Sequence, residues 1–101
     1  MKVAIGSKGK TIEDEVSEVC GRAPYFLLFE DKELVEVIDN PFRKGGGGAG
    51  AGMAKLLIDK GAELVICGNF GGYMKDWLED KNVPYKEEND KLIKDILNEL
   101  E

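Results

Sequence analysis

Residues 63–86 read ELVICGNFGGYMKDWLEDKNVPYK, and this stretch decides the fold. Glu63–Cys67 is a continuous apolar run of strand length, the kind that is buried on both faces of a sheet. Gly68–Gly72 makes a turn. Met74, Trp77 and Leu78 follow at helical spacing and are assigned to the core. Val83–Lys86 reads as a short strand bracketed by loop residues. Strand, helix and strand in that order predict parallel strands joined by a right-handed crossover.

The pattern extends outward in both directions. Upstream, Met53, Leu56 and Leu57 share one face of a helix over about 51–60, which Gly61 stops. The apolar run of Lys2–Ser7 is a buried strand. Tyr25–Glu30 and Leu34–Asp39 form a hairpin about Asp31 and Lys32. Residues 8–24 hold Gly9, Gly21 and Pro24 and read as a long loop with room for one helical turn. Asn40-Pro41 marks a break before the glycine run Gly45, Gly46, Gly47, Gly48, the only low-complexity segment. Downstream, Asp90 is placed as the cap of a last helix whose Ile93, Ile96, Leu97 and Leu100 face inward. The order is β-β-β-α-β-α-β-α, an α/β fold with a five-stranded mixed sheet, and 1–101 reads as a single domain.

Composition narrows the function. With 20 acidic and 14 basic residues the net charge is −6. Nucleic-acid binding and docking on an anionic membrane both need clustered Lys and Arg, so neither is expected. No run approaches the length of a membrane span, and MKVAIGSKGK lacks a signal-peptide core, so a cytoplasmic protein is expected. Two cysteines there are expected to be reduced, and their pairing is not settled by the sequence. The chain has no histidine, which removes Ser-His-Asp and Cys-His catalysis.

With strand 2 antiparallel to the first strand, strand 3 parallel to it and the two later strand–helix–strand units parallel, three loops leave one sheet edge: 7–24, 40–52 and 67–73. Cys20, Arg22, Gly45–Gly48, Cys67 and Asn69 lie on them, at the edge where open α/β sheets bind ligands. Two helices start there, near Ala51 and Tyr73, and helix starts favour anions. The glycine run does not match a phosphate-binding G-x-x-x-x-G-K-[ST] loop. It reads either as a ligand-closing loop or as a flexible linker.

Residues 17–26, SEVCGRAPYF, resemble the S-x-x-F-G-R-A-P-Y-F segment of the dinitrogenase iron-molybdenum cofactor biosynthesis family. The glycine run leading into a helix is similar to that family's G-G-A-G segment, and residues 65–72, VICGNFGG, to its V-I-T-G-N-x-G stretch. The resemblance covers about residues 1–86. It implies a three-layer α/β/α, ribonuclease H-like fold, and a role in binding or carrying an iron-sulfur or iron-molybdenum cofactor precursor, with a partner protein in cofactor assembly. Here Cys20 stands in place of the usual Phe and Cys67 in place of a common Thr.

Each candidate residue keeps more than one reading. Cys20 and Cys67 are thiolate ligands for iron or an iron-sulfur cluster, or small buried hydrophobes, with a disulfide as a third option. Arg22 clamps an anionic cofactor, or pairs with Glu13, Asp14 or Glu15. Asn69 donates to a ligand or shapes a turn. Strand 1 carries no acid, so the two-metal nuclease chemistry associated with this fold type is absent. The expectation is a non-catalytic carrier. The alternative is a regulatory or interaction module that binds a small phosphorylated ligand or a partner protein without metal.

Overall fold

Val3, Ala4 and Ile5 are the apolar heart of β1 (Lys2–Ser7), and all three are buried. The aromatic-rich β2 (Tyr25–Glu30) and β3 (Glu33–Asp39) form the expected hairpin. Its two turn residues, Asp31 and Lys32, have φ of 52° and 71°, the pair of positive values that a type I′ turn requires. The structure is a computed structural model and describes residues 1–43 and 49–100. The run Gly45–Gly48 lies outside the described residues.

Two strand–helix–strand units complete the sheet through α1 (Ala49–Asp59), β4 (Leu64–Cys67), α2 (Gly71–Asp80) and β5 (Tyr85–Glu87), before α3 (Ile93–Glu99). The strand order is β3-β2-β1-β4-β5. β1 pairs antiparallel with β2 and parallel with β4, and β4 pairs parallel with β5. Alternation along the central strands makes two cores. Ala4, Phe26, Leu28 and Val65 face α1 and α2, where Met53, Leu57, Met74 and Leu78 cover them. Ile5, Leu27, Phe29 and Ile66 face α3, under Ile93 and Ile96. This is the expected three-layer α/β/α arrangement.

Both βαβ helices end alike. After α1, Ala62 N–H donates to Leu57 O and Gly61 N–H to Ile58 O, with φ of 86° at Gly61. After α2, Val83 N–H donates to Leu78 O and Asn82 N–H to Glu79 O, with φ of 58° at Asn82. These paired bonds are the Schellman stop, which needs a left-handed residue after the helix.

The structure corrects three local expectations. The last helix starts after Leu92, not Asp90, which has a left-handed φ of 56° and so cannot serve as its cap. β5 begins at Tyr85 because Pro84 has no N–H for the ladder; its carbonyl still accepts from Val65 N–H. Trp77, assigned to the core, is 38% exposed. The buried side of α2 is narrow, and Met74 and Leu78, four residues apart, occupy it.

A Cβ on Gly61 would meet nothing closer than 3.6 Å, so the cost of a side chain there is conformational. Gly61→Ala should therefore lower stability by about 1–2 kcal/mol, read in thermal unfolding as about 4–8 °C per kcal/mol.

Candidate functional site

The sheet order puts the carboxyl ends of β1 and β4 side by side, and the loop from 8 to 24 crosses both. It has no helical turn. Lys8 N–H donates to Glu15 O, which brings the chain back to β1. Ser17 N–H then donates to Gly6 O at 2.8 Å, Gly68 N–H to Ser17 O at 2.9 Å and Cys20 N–H to Asn69 O at 3.0 Å. Val16 N–H reaches Lys91 O on the approach to α3. Residues 15–20 thus form a strap laid over the end of the sheet.

Asn40 pins the far end of the strap. Its side chain is 3% exposed. The amide nitrogen donates to Gly21 O at 3.0 Å and Ala23 O at 2.8 Å, while Oδ1 accepts from Phe42 N–H at 2.7 Å. Gly21 is thereby pressed onto the start of α1, where a Cβ would stand 3.0 Å from both Cα and N of Gly50. Only glycine allows the strap to lie this close.

The strap, the start of α1 and the start of α2 enclose a groove of about 390 Å³. Arg22 and Asn69 line it together with Ala49, Gly50, Gly71 and Gly72. The edge that the sequence predicts for the site is where the groove lies. No acid stands in the first turn of α1 or α2, and among the described residues none lines the groove. First-turn N–H groups have no partner within their own helix and carry the positive end of its dipole. Asn69 Oδ1 accepts from Gly71 N–H at 3.1 Å, so its side chain shapes the turn into α2. On the far side of Val19 and Asn69 a polar cleft is bordered by Glu18, Glu87 and Asp90. From that side Glu87 accepts from Phe70 N–H at 3.4 Å and stands 3.7 Å from Lys75.

Arg22 is exposed at the groove. Nearby, Glu13 pairs with Lys94, Asp14 accepts from Thr11, and Glu15 pairs with Lys8. Cys20 and Cys67 come together, but behind the groove. Both are fully buried in the α1–α2 core and are joined as a disulfide with Cα atoms 5.7 Å apart, an ordinary span for that bond. While it stands, neither sulfur is a thiolate. Closing a loop of 47 residues restricts the unfolded chain by roughly 4 kcal/mol in the chain-entropy model. Among the described residues no group of three or more His, Cys, Asp and Glu is arranged to hold a metal ion, and no helix is long and apolar enough to cross a membrane.

The family model for the dinitrogenase iron-molybdenum cofactor matches residues 1–101. The chain belongs to this family. Its fold is similar to that of the apo form of the orange protein from Desulfovibrio gigas, with a TM-score of 0.88 at 21% identity, over 96% of this chain and 83% of that one. It is also similar to a NifB-like protein from Thermotoga, with a TM-score of 0.81 at 26% identity, over 96% and 84% of the two chains. No curated protein matches it in sequence.

Asn40 is the residue that sequence reasoning missed: an Asn before Pro after a strand signals a turn, and nothing local shows that it reaches back to residues 21 and 23. Asn40→Ala strands two buried carbonyls and should cost about 2–3 kcal/mol. Denaturant unfolding measures that loss, and amide exchange at residues 20–24 should quicken with it.

Proposed function

We propose that this chain is a non-catalytic, cytoplasmic carrier that holds an anionic iron-sulfur or iron-molybdenum cofactor precursor in the groove and passes it to a partner protein of cofactor assembly. The observation that carries this reading is the groove's lining. In a chain with 20 acidic residues, the described residues that line the space between two helix starts include Arg22 and no carboxylate. Membership of the family supports this class of cargo.

In this reading the N–H groups at the starts of α1 and α2 face the anionic surface of the cargo, and the Arg22 guanidinium adds a planar fork of donors. In the oxidised chain the cargo is retained without sulfur from the protein.

Anaerobic titration with tetrathiomolybdate, an anionic molybdenum–sulfur species, tests the proposal against inorganic phosphate. Tetrathiomolybdate should bind one per chain, and Arg22→Glu should weaken binding at least tenfold, since about 1.4 kcal/mol per contact suffices for that factor. If neither anion binds, the carrier reading is wrong. Binding of phosphate alone would support the regulatory module in its place.

A further inference from the structure

The bond between Cys20 and Cys67 is continuous with the floor of the groove. On one side of it in the chain are Val19, Gly21 and Arg22, and on the other Asn69 and Phe70, and all five line the groove. The two sulfurs join parts of unequal freedom. Cys67 ends β4, which is clamped between β1 and β5. Cys20 belongs to the strap, which near it is tied by Cys20 N–H to Asn69 O and by Gly68 N–H to Ser17 O. Two thiols cannot approach each other as closely as two bonded sulfurs. In a site with no exposed area for either residue, the extra separation must be taken up by whichever part yields, and that is the strap.

We propose that the Cys20–Cys67 pair is a redox control of the groove, in which the disulfide holds the strap and Arg22 in the anion-binding position and reduction releases them. The inference rests on the carrier reading, for it assigns the regulation of the same groove. In the reducing cytoplasm proposed for the chain, a disulfide cycles and does not persist as a passive brace. The reductant is a dithiol. One of its thiolates attacks a protein sulfur, giving a mixed disulfide and releasing the other cysteine as a thiolate. Its second thiol then displaces the first cysteine, so that two electrons and two protons pass to the protein and the reductant leaves as a disulfide. Because both sulfurs are buried, attack waits on local opening of the strap, and reduction is slow in the folded protein.

Two measurements test this. Amide hydrogen exchange of the wild-type chain, before and after dithiothreitol, should show faster exchange at residues 17–22 on reduction, with the α3 core unchanged. A Cys20→Ala/Cys67→Ala variant should exchange like the reduced chain with or without dithiothreitol. It should also bind tetrathiomolybdate at least fivefold more weakly than the oxidised wild type, the lower end of typical coupling between sites. Failure of the pair to form a disulfide under mild oxidation, or equal exchange at 17–22 in both states, overturns the redox control and leaves the carrier reading standing. If exchange differs but tetrathiomolybdate binds neither form, the strap is redox-controlled and the carrier reading is the one that fails.

Discussion

The strap over the ends of β1 and β4 is the constraint on which the site depends. It crosses the sheet edge in no regular element, so its backbone groups must find partners outside themselves. They find them because β1 and β4 are neighbours: Gly6 O, at the end of one, and Gly68 N–H, just after the other, both bond to Ser17. A topology that separated these strands would leave no adjacent pair of ends to receive the chain. The contact at Asn69 follows from the same register, and with it the start of α2. Asn40, at the end of β3 on the opposite half of the sheet, then sets Gly21 against Gly50. The groove is what remains between these contacts, and each of its walls is fixed by a backbone hydrogen bond or a close packing distance.

Much of this was legible in the sequence where the signal is local. The apolar runs at Val3–Ile5 and Val65–Cys67 have one sensible reading, and strand-helix-strand order limits the handedness of the crossovers. That was enough to place residues 20, 22, 67 and 69 at one edge. The misses share a cause. Trp77 has the right spacing for the core, but periodicity does not reveal how wide an arc of a helix is covered. Asp90 has the chemistry of a cap, but the backbone adopts a left-handed turn there and caps with Leu92. Asn40 and Gly21 matter through partners about twenty residues away. The three readings of the cysteines could not be separated because the distance between two thiols is a tertiary fact.

An anion site on a chain of net charge −6 calls for an electrostatic account, and the placement of the ion pairs supplies it. Carboxylates along and beside the strap are paired with ammonium groups. Glu15 and Glu18 hold the Lys8 ammonium above its usual range, and Glu13 does the same for Lys94. Behind the polar cleft, Lys86 and Lys91 hold the Glu88 carboxyl below its usual range. All these groups are exposed or nearly so, and such pairs contribute little to stability. Their effect here is on the field, because a paired carboxylate presents a dipole in place of a bare charge. At physiological salt, unpaired surface charges are themselves screened beyond about 8 Å. A ligand seated against the first turns of α1 and α2 meets N–H groups and Arg22, whereas Glu87, the carboxylate at the start of α2, borders the polar cleft and stands beside Lys75. Net charge therefore governs what approaches the protein, and the local backbone governs what stays.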